Sequence, residues 1–169
     1  MRPSNRDLVV DAAVALFADT GADAVTYDEL AARTGLTKSG IVYHFSTRQL
    51  ILEAVAARLI EGWTDAAERN LGGSDDRLAA FVAGMLEGDT TPAELQLAIE
   101  TLRGRRMHHE WERIRSTWLQ PDDASPEQFT AVAAALGLWL SEATGFLRLS
   151  DGERQGVVET IGRLATPRG

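Results

Sequence analysis

A Ser or Thr stands three places ahead of a Glu or Gln in a series of places along the 169 residues, among them Thr26 with Glu29, Ser46 with Gln49, Thr91 with Glu94, Ser125 with Gln128 and Ser150 with Glu153. At that spacing the hydroxyl accepts from the third residue's backbone N–H, and the longer side chain reaches back to the N–H of the cap. Each pair therefore writes a helix start. Pro92 and Pro126 follow two of these caps, where a missing N–H costs nothing. Gly21, Gly35 and the Gly72-Gly73 pair supply stops. No segment alternates apolar and polar residues with the β-branched enrichment of a strand. The expected fold is all-α, with about nine helices over 4–20, 26–33, 37–44, 47–71, 75–88, 92–103, 105–119, 126–148 and 151–165. In the long fourth helix Leu52, Val55, Leu59 and Trp63 share one apolar stripe.

Charge narrows the partners. Lys and Arg number 17 against 25 Asp and Glu, a net charge of −8, which is not the usual footprint of a nucleic-acid binder. The distribution points the other way. Leu30 to Leu52 contain no acid but hold Arg33, Lys38 and Arg48, so either an anion is met at one local surface or the cations cluster by chance. With no cysteine, disulfide scaffolds, Cys-ligated zinc, iron–sulfur clusters and thiol nucleophiles are excluded. No apolar run is long enough to span a membrane and the first residues lack a signal peptide's apolar stretch, so a cytoplasmic protein without a membrane partner is expected.

The most informative segment lies between Thr26 and Phe45. Tyr27 to Arg33 reads as a helix, Thr34-Gly35-Leu36 as a turn and Thr37 to His44 as a second helix. Ala31 is small where the helices approach, Gly35 permits a positive φ, and Leu36 fills the gap beneath. In a helix-turn-helix the second helix enters the major groove, and its N-terminal residues reach base edges. Here those are Thr37, Lys38, Ser39 and Gly40, small except for one long cation. A helical hairpin that only packs is the alternative.

Residues 9–55 closely resemble the N-terminal domain of the TetR family of bacterial transcriptional repressors. The paired alanines Ala12-Ala13, then Leu16-Phe17, Gly21, Thr26, Ala31 with Gly35, and Phe45 to Arg48 carry the likeness. The resemblance implies base contacts from Thr37, Lys38 and Ser39, and phosphate contacts from Thr26, Tyr43, His44 and Arg48. Phenol, imidazole and guanidinium at a helix end suit phosphate oxygens, although a Tyr at position 43 could equally lie half buried against the first helix. Two departures stand out. Val42 replaces the aromatic of many members, and Ser39-Gly40 inverts the commoner order of Gly and a small residue. The expected division is a DNA-binding helix-turn-helix domain at 1–46 and a ligand-binding and dimerisation domain at 47–169. The implied partners are a pseudo-palindromic double-stranded DNA operator, a second copy of the chain, and a small-molecule effector of unknown identity, apolar or cationic if Glu142 faces a cavity.

Beyond Trp63 the likeness is one of architecture. Phe129, Val132, Leu136, Trp139 with Leu140, Ala143, and Phe146 with Leu147 recur at helical spacing. Ala131, Ala134, Ala135 and Leu138 make the opposite face apolar too, so this helix should be covered on two sides. Val157, Val158, Ile161, Leu164 and Ala165 form a stripe on the last helix. In the family the last two helices form a four-helix bundle with their symmetry mates. That places Phe129, Leu136, Leu140, Val157, Ile161 and Leu164 at a dimer interface, unless a monomer core closes over them. Met107, Trp111 and Trp118 share one face of helix 105–119. With Trp63, Phe81, Met85 and Trp139 they are either walls of the effector pocket or ordinary core. Glu142 lies among apolar neighbours, so it is exposed at the bundle edge, paired with an arginine, or facing a cavity.

Catalysis finds little support. His108 and His109 are adjacent and point about 100° apart on a helix, so they cannot share a metal. His108 with Glu112 gives two ligands without a third. No phosphate loop, di-iron pair or Ser-His-Asp set is evident, so no enzyme and no cofactor is expected. The rival reading is a helical-bundle small-molecule binding protein, or a small bundle enzyme, without sequence-specific DNA binding.

Overall fold

The computed structural model of the protein describes residues 4–87, 91–103, 112–119 and 124–166. Its regular structure is helical throughout these residues. In chain order they are α1 (Asn5–Thr20), a 3₁₀ turn (Ala22–Ala24), α2 (Tyr27–Thr34), α3 (Lys38–His44), α4 (Arg48–Leu71), α5 (Arg77–Glu87) and α6 (Pro92–Arg103). A π-helical turn (Arg115–Leu119) precedes α7 (Pro126–Thr144) and α8 (Asp151–Ala165).

The start signals act largely as read. Ser125 and Ser150 form reciprocal capping boxes, Thr91 and Glu94 exchange the same pair of bonds, and Thr26 accepts from Glu29 N–H. Ser46 is the exception. Thr47 Oγ1 accepts from Leu50 N–H instead, and α4 starts one residue later than expected. Ser4 with Asp7 makes a further box at the head of α1. Gly35 ends α2 at φ 70°, in the left-handed region where only glycine is unstrained. Gly145 does the same for α7 at φ 65°, so that helix stops at Thr144 and not at 148.

The described residues fall into two compact units. One is drawn from Met1–Ile60 and Thr91–His108, the other from Glu61–Thr90 and His109–Gly169, and α4 contributes to both. In the first unit α1 packs against α2, α3 and α6. Val9, Val10, Ala13, Leu16 and Phe17 of α1 are buried, as are Leu30, Ile41, Phe45, Ile51, Val55 and Leu97. The buried line of α4 runs through Ile51, Val55 and Ile60; of the expected stripe Val55 is buried, while Leu52 and Leu59 are half-buried. That stretch is apolar on nearly every side, so periodicity alone cannot select the face.

In the second unit Leu78, Val82 and Leu86 of α5 meet Ala131, Val132, Ala135 and Leu138 of α7, and Ile161 and Ala165 of α8. Each large aliphatic side chain buried there contributes about 1.5–3 kcal/mol. Gly84 lets α5 approach α4 backbone to backbone, because a Cβ at that position would lie 2.8 Å from Ala67 N and 2.9 Å from the carbonyl carbon of Ala66. Gln128, the buried polar residue of this unit, is fully employed. Its Oε1 accepts from Ser125 N–H at 3.0 Å, and its Nε2 donates to Ala165 O at 3.1 Å, tying the head of α7 to the end of α8.

Candidate nucleic-acid interface

Ile41 and Phe45, at 0% and 2% exposure, anchor α3 in the core of the first unit. Helical geometry then turns Lys38, Ser39, Val42 and Tyr43 outward on one face. Tyr43 is 85% exposed, so it is not half buried against α1. Its ring meets that of His44 edge-on at 5.2 Å. Thr37 caps the helix, its Oγ1 accepting from Gly40 N–H at 3.1 Å and lying 3.3 Å from Ser39 Oγ. A Cβ at Gly40 would come within 3.2 Å of that Oγ1, so the glycine leaves room for the cap. Thr26 spends an oxygen lone pair on the Glu29 N–H and keeps its hydroxyl hydrogen for another acceptor.

The cations of the acid-free window are not bare. Arg33 pairs with Asp19 at 3.3 Å and Lys38 with Asp28 at 3.0 Å, both at the surface. Arg48 departs further from its expected role. Its Nε donates to Val25 O at 2.9 Å, its Nη2 donates to Ala22 O, and Asp23 lies 3.8 Å from the same nitrogen. A guanidinium engaged with two backbone carbonyls keeps fewer N–H groups for a phosphate than the expectation for Arg48 assumed. Tyr27, which sequence reasoning passed over, braces the other end of α3, its hydroxyl donating to Phe45 O at 2.9 Å. Its signal was available in principle: a phenol beside a helix cap buries only when its O–H finds a partner.

In the second unit the aromatic set divides. Trp63 and Trp139 meet edge-on at 6.0 Å and are half-buried. Phe81 and Trp118 are buried against each other at 6.3 Å, with the Arg77 guanidinium 5.6 Å over the Trp118 ring, so these two are core. Met85 packs on the α5–α7–α8 core. Met107 and Trp111, like His108 and His109, lie outside the described residues. Glu142 is paired. Arg154 Nε donates to its Oε1 at 2.6 Å and joins α8 to α7, while Arg154 Nη2 reaches Leu86 O at 3.4 Å. A cleft of about 500 Å³ opens elsewhere in this unit, walled by Ala79, Ala80, Ala83, Leu86, Val158 and Gly162, with Asn70, Asp76 and Glu87 also lining it. Among the described residues, none of the aromatics expected at a pocket lines it.

The interface residues of α7 and α8 separate as well. Phe129, Leu136 and Leu140 are 49%, 40% and 47% exposed on the outer face of α7. Val157 and Leu164 are half-buried. Ile161 is 3% exposed within this chain's own core, which leaves it no surface for a partner and corrects its placement at a dimer seam.

A helix-turn-helix set on an all-helical chain defines a class, and comparison with known proteins narrows it. Residues 9–55 match the sequence model of bacterial regulatory proteins of the tetR family, the segment on which the resemblance was read. Residues 9–55 thus carry the N-terminal domain of that family, and the chain shares its fold with solved structures. The multidrug binding protein EbrR, in complex with imidazole, is 20% identical with a TM-score of 0.71, the match covering 99% of this chain and 98% of that one. A protein of Streptomyces coelicolor described as a transcriptional regulator is 23% identical with a TM-score of 0.73, covering 98% and 100%. One from Saccharomonospora viridis, described likewise and in complex with choline, is 21% identical with a TM-score of 0.72, covering 92% and 94%. A search of the curated proteins finds no match to this sequence.

Proposed function

We propose that the chain is a ligand-responsive transcriptional repressor that binds a pseudo-palindromic operator as a homodimer and is released by a small-molecule effector. The observation that carries this reading is α3, a short helix anchored by Ile41 and Phe45 that turns Lys38, Ser39, Val42 and Tyr43 outward within the segment matching the tetR-family model. Residues 1–46 are the DNA-reading part and 47–169 the part that dimerises and binds ligand. Thr37, Lys38 and Ser39 contact base edges, with Gly40 allowing close approach. Thr26, Tyr43 and His44 hold phosphates. The outer stripe of Phe129, Leu136 and Leu140 supports the dimer, since three large apolar side chains in line on one helix are costly to leave in water.

An effector is supported by the 500 Å³ cleft, which falls within the size range of ligand sites, and by the half-buried Trp63–Trp139 pair beside the Glu142 helix. The complexes of similar folds with imidazole and choline make amines and quaternary cations the first compounds to try. Such a ligand acts only if it binds a DNA-incompetent conformation more tightly than the competent one. No catalytic role is assigned, and among the described residues no group of three His, Asp or Glu converges as a metal site.

The test is selection of duplexes from a randomised library with the purified protein. Two related half-sites about 10–10.5 base pairs apart are expected, as two copies of α3 on successive major grooves demand. Recovery of no consensus at moderate salt would reject the DNA reading and favour a small-molecule binding bundle.

A further inference from the structure

We propose that Arg48 is a positioning residue that locks the 3₁₀ turn Ala22–Ala24 onto the head of α4 and so sets the placement of the α2–α3 hairpin. Three observations carry it. The Arg48 side chain reaches back across 23 and 26 residues to the carbonyl oxygens of Val25 and Ala22. Those carbonyls flank the only covalent link between α1 and α2, and Ala22 O already accepts from Val25 N–H at 3.1 Å. Across the hairpin itself, Tyr27 OH at its start donates to Phe45 O at its end, three residues before Arg48. The phenol therefore ties the first residue of the hairpin to its last, and the guanidinium ties the segment just before the hairpin to the head of α4.

The chemistry explains the residue type. A planar guanidinium offers N–H groups in a fixed fork, and here two of them reach carbonyls three residues apart. An ammonium on a flexible stem carries the same charge but no fork. Lys therefore replaces Arg as a cation but not as a brace, and that difference makes the role measurable.

This inference rests on the reading of α3 as the DNA-contacting helix, and two measurements keep it distinguishable from that reading. The first needs no DNA. Amide hydrogen exchange of Val25 and Thr26, both bonded within the turn, is compared in the wild type, Arg48→Lys and Arg48→Met, well below the melting temperature. About tenfold faster exchange is expected in both variants, the size of change that loss of one charge-assisted bond brings. Unchanged exchange overturns the brace, whether or not the protein binds DNA.

The second uses a duplex enriched by the wild type from a randomised library, against a scrambled duplex of the same composition. If Arg48 positions the hairpin, Arg48→Lys and Arg48→Met lose affinity alike on the enriched duplex. Binding to the scrambled duplex and the salt slope stay as in the wild type. If it is a phosphate ligand, Arg48→Lys retains affinity, while Arg48→Met weakens both duplexes and lowers the slope by about one unit. That result overturns the proposal. A wild type with no preferred duplex refutes the DNA reading and leaves the exchange result to decide the brace.

Discussion

Lys38 Nζ lies 3.0 and 3.1 Å from the two carboxylate oxygens of Asp28, so the cation expected to read a base is held by an acid of the preceding helix. The window from Leu30 to Leu52 is free of acids only along the sequence. In space Asp19, Asp23 and Asp28, all from before the window, stand against Arg33, Arg48 and Lys38. The local surface of the free protein is therefore far less basic than a count along the chain implies. Weak attachment to arbitrary DNA is therefore expected, because electrostatic neutralisation of phosphates supplies nearly all of such binding.

Asp28→Asn is expected to release Lys38. The pair is exposed, so its loss costs the fold only about 0–1 kcal/mol. Binding to a scrambled duplex should tighten, and its salt slope should steepen by about one unit. Fluorescence anisotropy across a salt series measures both. An unchanged slope would show that Lys38 makes no phosphate contact even when free.

Gly84→Ala tests the close approach of α5 to α4. An exposed helical glycine changed to alanine normally stabilises by roughly 1 kcal/mol. Here the added Cβ would meet Ala67 N at 2.8 Å and the Ala66 carbonyl carbon at 2.9 Å, both backbone atoms that cannot rotate away. A net loss of about 1–3 kcal/mol is expected from overpacking, read from urea unfolding. A gain in stability would show that the helices separate without penalty.

Where residues are local neighbours, the sequence reported them well. Helix caps at Thr26, Thr91, Ser125 and Ser150, and the left-handed glycine at Gly35, follow from bonds within a few residues. What it could not report were bonds across long separations. The Arg48 carbonyls, the Asp28 partner of Lys38, and the choice among three fates for Glu142 each depend on which helix lies opposite. Apolar faces were legible on α7 as two stripes, but which one faces inward was not. The small-residue side, Ala131 with Ala135, packs inside, because small side chains let helices approach closely, while the larger Phe129, Leu136 and Leu140 remain outside.

Acid titration should expose the caps. The hydroxyl of Ser150, donating at 2.7 Å, and then its backbone N–H hold the Glu153 carboxyl below the ordinary glutamate value. A depressed carboxylate stabilises the fold above its unfolded value, and that contribution is lost as the pH falls through the folded one. Carboxyl NMR titration is expected to place Glu153 below the ordinary glutamates, and Ser150→Ala, which removes the hydroxyl but keeps the backbone N–H, should bring it part of the way back. A Glu153 midpoint unaffected by that substitution would remove Ser150 as the cause.

Gln128→Glu should turn a buried stitch into a pH-sensitive one. The amide is 5% exposed and donates to Ala165 O. A protonated carboxyl of the same shape can make that bond, but a carboxylate cannot, so burial raises the folded-state value of the new acid. Its full stability is expected below the unfolded value of about 4.3, with loss as the pH rises through the folded one. At neutral pH the deficit against wild type should be about 2–3 kcal/mol, measured by thermal unfolding at a series of pH values. A deficit independent of pH would mean that the carboxyl has swung out to water.

The last expectation separates two apolar residues that the sequence placed at one interface. Leu136 is 40% exposed on the outer face of α7, in line with Phe129 and Leu140, while Ile161 is 3% exposed against α5 and α7. A charge at Leu136 enters water in the separated chain and meets no core, so Leu136→Glu should fold with native helicity and melt cooperatively. If the outer stripe joins two copies, the same charge opposes its own symmetry mate across an apolar seam. Sedimentation should then show a monomer where the wild type is a dimer, with loss of binding to a two-half-site duplex. Ile161→Glu buries an unpaired carboxylate among Leu78, Val82 and Ala135, at a cost of several kcal/mol that a domain of ordinary stability does not withstand. It should lose helicity at any concentration. A wild type that sediments as a monomer, or a Leu136→Glu variant that remains dimeric, would remove this face from the assembly.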